Sequence, residues 1–351
     1  MFAPDEWWNS GASGSASLTL ARRCLKPIDP PFHVVRSLLC ESAQPTRDLR
    51  LLRESPIAGP NGGGYRSGVP EMPQMQALSE RLTETISGAV VEGFEPLGFS
   101  GLKTVTPPAE SLVGAEVARV GRRGKYLVFD LGGPRMLVHL SQAGRLDIEE
   151  PPKRTRPKGS VVRLRFARSG DAKPIGLLVR EHGTERKAGW WVLAPGDDGP
   201  LAKLGPEPDS QEFADFVAGS DDGRRIHTIL RDQRTVAGVG RGYADDALHR
   251  ARLSPYASLK SLDADERVRL LDAVRSVLAA GLERERARNG GLSENKLGGH
   301  FVVHGKAGVP CPVCGDDLKR VSYESHEVVY CPRCQTGGKV LADRRLSRLI
   351  R

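Results

Sequence analysis

Cys311, Cys314, Cys331 and Cys334 are spaced C-x2-C-x16-C-x2-C, and no other feature restricts the fold of their neighbourhood as narrowly. Each C-x-x-C pair sets two thiolates on one tight turn, and two such pairs close a tetrahedron around a metal ion such as Zn2+. A pair of separate redox C-x-x-C sites is the alternative reading. The chain has six cysteines. In a reducing compartment, four of them in two close pairs favour metal over disulfide. Four protein ligands leave no open coordination position, so the ion is expected to be structural. The stretch YESHEVVYC between the pairs reads as strand. A β-hairpin finger this small has little core, so the metal contributes much of its folding energy.

The rest of the chain is long enough for two larger domains beside that finger, at 351 residues. Hydrophobic content of 39% and charged content of 27% are those of an ordinary globular protein. The net charge of +9 suits a polyanionic partner, because each Lys or Arg placed on a phosphate releases a counterion. An anionic membrane surface would use the same charge. No run approaches the roughly 18 apolar residues of a membrane span. Asp5, Glu6, Trp7 and Trp8 stand where a signal peptide would be basic and then apolar, so a cytoplasmic location is expected.

Residues 1–69 carry NSGASGSAS, KPIDPPF and AGPNGGGYRSG and show no sustained periodicity, which reads as a disordered extension. From Pro70 the pattern becomes regular. Met75, Leu78, Leu82 and Ile86 repeat at a helical period that stops at Gly88. Strand-like runs follow over about 89–195, with KYLVFDLGGPRMLVHL as a hairpin around Gly132-Gly133-Pro134. One helix followed by many strands predicts a helix packed on a β-sandwich or flattened barrel. LGPEPDS has a linker's composition, and beyond it QEFADFVAG, RRIHTILRD, YADDALHRARL and DADERVRLLDAVRSVLAAGLERERAR read as helices. Asp263 with Glu266 forms a capping box for the last, whose buried stripe is Leu270, Leu271, Val274, Val277 and Leu278.

Two further motifs carry chemistry. In GVGRGYADDAL, glycines at 238, 240 and 242 let backbone N–H groups approach an anion, and the helix that follows adds its partial positive charge. No strand leads into these glycines, which removes the dinucleotide-binding reading. A plain helix–helix turn needing positive φ remains open. Arg231, Arg234 and Arg241 beside the turn favour a phosphate-backbone contact. In VGRRGKYLVFDL, Lys125 ends a basic cluster and enters an apolar strand; most lysines so placed only cap a strand surface.

Pro70-Glu71-Met72-Pro73 opening a helix, RRGKYL on a strand, a glycine-rich turn between helices and a terminal four-cysteine finger occur here in that order. With this combination the chain resembles the formamidopyrimidine-DNA glycosylase / endonuclease VIII family of base-excision repair, from about Pro70 to Gln335. The resemblance implies an α+β fold with an N-terminal helix on a β-sandwich over 70–200, the catalytic domain. A helix–two-turn–helix DNA-binding domain follows over 207–300, then a β-hairpin zinc finger over 301–337 and a basic tail over 338–351. It implies a bifunctional glycosylase/AP lyase, monomeric on double-stranded DNA carrying an oxidised base or an abasic site, with one structural Zn2+. Pro70 would be the nucleophile, Glu71 the acid/base carboxylate that protonates the opening sugar, and Lys125 a phosphate contact near the lesion. Arg231, Arg234, Gly240 and Arg241 would clamp phosphate, and Gln142 and His326 would face DNA.

A proline within a chain has an amide nitrogen whose lone pair is delocalised, whereas a terminal proline is a secondary amine able to form an iminium. The expectation is therefore that the working protein begins at Pro70. Val69 then marks an alternative GUG start, or residues 1–69 are removed by proteolysis. Where the extension is genuine, the lyase site is dead.

Several positions depart from the family pattern. Gln74 replaces a glutamate, Arg241 an asparagine, His326 the finger arginine, Gln142 a gap-filling methionine, and Arg186-Lys187-Ala188 an Arg-Arg-Phe wedge. They leave oxidised pyrimidines, ring-opened purines and abasic sites open as substrates. A non-catalytic damaged-DNA-binding protein using the same clamp and finger is the rival reading, and a module acting on RNA is a third.

Overall fold

The computed structural model describes residues 70–182, 187–288, 300–323 and 326–342. The extension 1–69, Arg186 of the wedge stretch and the tail beyond 342 lie outside the described residues.

The first helix, α1 (Met72–Ile86), starts where proline tolerates it: Pro73 sits in the first turn, where a missing N–H costs no helical bond. Its face of Met75, Leu78, Leu82 and Ile86 is buried as the period predicts, and Gly88 leaves the helix at φ +76. Two antiparallel four-stranded sheets follow. One is ordered β1 (Val90–Pro96), β6 (Ser160–Ala167), β7 (Ile175–Glu181), β5 (Gly144–Glu149). The other is β2 (Arg119–Arg123), β3 (Tyr126–Asp130), β4 (Arg135–His139), β8 (Gly189–Leu193). The expected hairpin at Gly132-Gly133-Pro134 joins β3 to β4.

Alternation along the strands builds the core. Leu127 and Phe129 point inward with Met136, Val138 and Trp190, meeting Val91, Leu146, Val162, Leu164 and Val179 of the facing sheet and the apolar face of α1. The register puts one set of strand ends together: the end of β1, the start of β6, the end of β7 and the start of β5 in one sheet, the start of β3, the end of β4 and the start of β8 in the other. Lys125 enters at that end of the sandwich, and the exposed Gln142 sits on its β4–β5 turn.

The second core gathers α2 (Gln211–Gly219), α3 (Ile226–Arg231), α4 (Arg241–Ala251) and α5 (Ala264–Ala287) around Phe213, Ile229, Val239, Leu248, Leu270 and Val274. The capping box at Asp263 is formed: its carboxylate accepts from Glu266 N at 2.8 Å, and Asp263 N donates to Glu266 Oε2 at 3.2 Å. Leu270, Val274 and Leu278 are buried, with Leu271 and Val277 only partly so.

The linker-like stretch 204–210 is tied down rather than loose. Glu207 accepts from Arg122 Nη1 (2.7 Å), Arg123 Nη1 (2.9 Å) and Gly124 N (2.7 Å). Gly205 N donates to Gln233 O and Ala237 N to Pro206 O. Composition signals a break in regular structure, but cannot show that one carboxylate anchors it to the β2–β3 turn.

The finger is a two-stranded hairpin, β9 (Lys319–Tyr323) and β10 (His326–Tyr330), closed by a short helix, α6 (Pro332–Thr336). No helix among the described residues is long and apolar enough to cross a membrane.

Candidate active site and nucleic-acid interface

Glu71 is the N-cap of α1 and only 3% exposed. Its carboxylate accepts from Gly240 N (2.7 Å), Gly242 N (2.9 Å) and Tyr243 N (3.4 Å), the free N–H groups at the start of α4. The glycine-rich turn therefore is an anion site, and its anion is internal. Three donors and the partial positive charge of the helix end hold the carboxylate in place. Gly240, expected at a phosphate, has its amide committed to Glu71. Its glycine identity is steric: at φ −124 any residue fits the backbone, but a Cβ would lie 2.3 Å from Glu71 Cδ. Gly238 has a second reason, φ +91, and its carbonyl accepts from Met72 N at 2.9 Å.

Gln233, which sequence reasoning passed over, shapes the turn. Its amide donates to Arg231 O (3.0 Å) and Val239 O (2.7 Å), and its oxygen accepts from Gly238 N (2.9 Å). An isolated Gln in a polar stretch offers no signal for that role.

Lys125 follows Gly124, whose φ of +56 and Glu207-bound amide fix the turn. Burial pushes its ammonium below the ordinary lysine value; Glu71 opposes that shift, and Arg231 and Arg241 reinforce it. The same neighbours show that Glu71, Lys125, Arg231 and Arg241, distant in sequence, share one electrostatic environment. His139 joins them. Burial first, then the Lys125 charge, pushes it down to about 4, and its ring lies 4.6 Å from that of Tyr126. It is neutral at physiological pH. Arg234 is exposed, and its backbone N–H bonds Asp232 Oδ1 at 3.1 Å.

The depressed lysine gives a pH expectation. As pH rises, Lys125 loses its charge before an ordinary lysine at roughly 10.4 would. Affinity for a phosphate-bearing duplex should then fall along an alkaline limb that Lys125→Met removes, read by equilibrium binding across pH. A limb unchanged in the variant would assign it elsewhere.

Gln74, which the resemblance marks as a departure, is buried. Its amide donates to Tyr243 OH (3.2 Å) and Glu285 Oε1 (3.1 Å), and lies 3.4 Å from His300 Nε2. The carboxylate missing at position 74 is thus present next to it, on α5. A glutamate at 74 would set two carboxylates against each other in a buried site.

The four cysteine sulfurs lie within 4.8 Å of one another, with Cys314 Sγ 3.4 Å from Cys331 Sγ and Cys311 Sγ 3.9 Å from Cys334 Sγ. Such a cluster could hold a metal ion. It is docked on α4. His249 Nε2 sits 3.3 Å from Cys311 Sγ, and Gln335 donates to Leu253 O at 2.8 Å. Asp246 accepts from the N–H groups of Val302, Val303 and His304, while Asp245 bonds His304 (2.7 Å) and Val329 N (3.2 Å) through one oxygen, with His227 Nε2 3.1 Å from the other. Adjacent aspartates in a helix interior are poor helix formers. That oddity in YADDALH was the available signal that α4 is a hub. His326 lies at the open end of the finger hairpin, paired in register with Tyr323. Pro70 immediately precedes Glu71, at the mouth of α1.

Residues 69–175 match the formamidopyrimidine-DNA glycosylase N-terminal domain, and 204–290 the formamidopyrimidine-DNA glycosylase H2TH domain. The formamidopyrimidine-DNA glycosylase of Listeria monocytogenes is 31% identical over 278 residues, covering 76% of this chain and 100% of the relative. An uncharacterized formamidopyrimidine-DNA glycosylase-like protein of Mycobacterium tuberculosis is 38% identical over 151 residues, 42% of this chain and 94% of its own. Among solved structures, the Lactococcus lactis Fpg with a DNA containing N7-benzyl-Fapy-dG shares the fold at a TM-score of 0.67 and 23% identity, over 76% of this chain and 100% of that one.

Proposed function

This chain belongs to the formamidopyrimidine-DNA glycosylase family, and we propose that it is a bifunctional DNA glycosylase/AP lyase acting on duplex DNA with oxidised bases or abasic sites. The observation that carries the reading is the buried carboxylate of Glu71, held by the amides of Gly240 and Gly242 beside Pro70 and within the field of Lys125, Arg231 and Arg241.

In this reading Pro70 acts as a free secondary amine. Its nitrogen attacks C1′ of the deoxyribose as the C1′–N bond to the base breaks, and the base leaves with that electron pair and takes a proton from water. The Glu71 carboxylate takes the proton that the attacking amine sheds and passes it to the sugar oxygen as the ring opens, giving the iminium. Loss of a C2′ proton then expels the 3′ phosphate, and a second elimination expels the 5′ phosphate. Lys125, Arg231 and Arg241 supply the positive charge that holds the backbone there, with Arg234 outside on the approach. Gln142 and His326 face the duplex from the sandwich turn and the finger, and the target nucleotide leaves the stack to reach Pro70 and Glu71.

The mechanism needs residues 1–69 to be absent from the working protein. The match to the family domain begins at residue 69, and the Listeria relative aligns along its whole length with 76% of this chain, which supports Pro70 as the leading residue.

We assign the cysteine cluster to zinc. A tetrahedral ion with Zn–S of ~2.3 Å requires sulfurs ~3.8 Å apart, and the pairs here lie at 3.4 and 3.9 Å. Cys311, Cys314, Cys331 and Cys334 would all be ligands, with His249 against Cys311. The ion staples the finger and takes no part in the chemistry. Metal analysis should find one zinc per chain, and Cys311→Ser should lose it together with duplex binding, while unchanged affinity in that variant would remove the finger from the interface.

The test of the function is a panel of duplexes, each with one defined lesion or an abasic site, incubated with the Pro70-leading chain. Base release and strand nicking support the enzyme. Tight binding with neither supports the rival, a damaged-DNA-binding protein.

A further inference from the structure

Phe99 is fully exposed, at 110% of its reference area, although the turn that carries it is anchored to both sheets. Leu97 N and Gly98 N donate to Val161 O (3.0 and 2.8 Å), Gly101 N donates to Gly98 O (3.1 Å), and Gly101 O accepts from Trp190 N (2.9 Å). Arg156 and Lys103 donate to the carbonyls of Leu97 and Ser100. An aromatic ring is thus presented to solvent from a fixed turn.

A single exposed apolar residue is ordinary on a protein surface. Two observations set this one apart. First, it borders a cleft of about 430 Å³ lined by Arg156, Lys158, Glu181 and Ala188. The stretch that supplies Arg156 and Lys158 also carries Lys153 and Arg154, and all four cations are exposed. The acidic residue there, Glu181, is buried, its carboxylate turned to the N–H groups of Lys187 and Ala188 at 3.0 Å each. Second, the turn follows the end of β1, at the same end of the sandwich as Lys125, Gln142 and Ala188.

We propose that Phe99 is a base-stacking contact of the DNA interface, its ring lying on a nucleobase while the 153–158 cations hold the adjoining backbone. A π-face with flanking positive charge is the chemistry that single-stranded or unstacked bases bind. The proposal rests on the DNA reading above. It names the residue that supplies an aromatic surface at an end where Ala188 supplies none. An apolar protein partner would gain nothing from the basic stretch.

The test is equilibrium binding of the full chain, and of Phe99→Ala and Phe99→Tyr, to a duplex with a tetrahydrofuran abasic analogue at several salt concentrations. Phe99→Ala should weaken binding roughly ten-fold. Its slope against log salt should match wild type, because no phosphate contact is lost. Phe99→Tyr should bind as wild type, and all three should melt together, the side chain having no contacts to lose. Wild-type affinity in Phe99→Ala overturns the proposal, as does a Tyr variant as weak as Ala or a changed salt slope. A wild-type chain that fails to bind the duplex overturns the DNA reading, and this contact with it.

Discussion

Glu71→Gln should lower base excision by roughly 10²-fold or more, the scale of general acid–base catalysis, while duplex binding stays close to wild type. The reason lies in its donors. Gly240 N, Gly242 N and Tyr243 N all point at the carboxylate. A carboxamide keeps one acceptor oxygen and turns an NH2 toward a backbone N–H, leaving buried donors facing each other at about 1–3 kcal/mol. The variant loses the proton carrier and disturbs the cap together. Gly240→Ala separates the two effects. The carboxylate remains, but a Cβ at 2.3 Å from Glu71 Cδ must displace it. Excision should fall nearly as far as in Glu71→Gln, whereas a merely phosphate-contacting glycine would affect affinity instead. Single-turnover excision alongside duplex binding distinguishes the outcomes. Full excision by Glu71→Gln would remove it from the chemistry.

The second large effect concerns the nitrogen of Pro70. With residue 69 attached, that nitrogen is an amide without a usable lone pair. A chain starting at Pro70 should nick abasic duplexes, while the chain carrying residues 1–69 should only bind them. Pro70→Gly in the shortened form replaces a secondary amine by a primary one and should slow nicking without ending it. Gel-resolved nicking of an abasic duplex measures all three. Equal nicking by the long and short forms would mean that another amine does the work.

What the sequence made legible was local. The spacing of the four finger cysteines, the capping box at Asp263, the hairpin at Gly132-Gly133-Pro134 and the helical period of α1 depend on residues close together in the chain, where turn and helix geometry leave few choices. What it hid were partners separated by long stretches of chain. Glu71 and Gly240 are 169 residues apart. The glycine turn was legible as an anion site, but that its anion is the chain's own carboxylate follows only from the start of α1 meeting the start of α4. Glu207 was hidden by its setting, since Pro and Gly on either side of it read as a linker. Gln74 looked like a lost carboxylate because Glu285, which lies against it, sits on the far helix α5.

The most direct measurement is borohydride reduction of the protein on an abasic duplex, followed by mass spectrometry of the cross-linked peptide. The account predicts a covalent adduct on a peptide whose first residue is Pro70, with none from the chain that carries residue 69. An adduct on a lysine such as Lys125, or on a chain in which Pro70 still has its peptide bond, would contradict it.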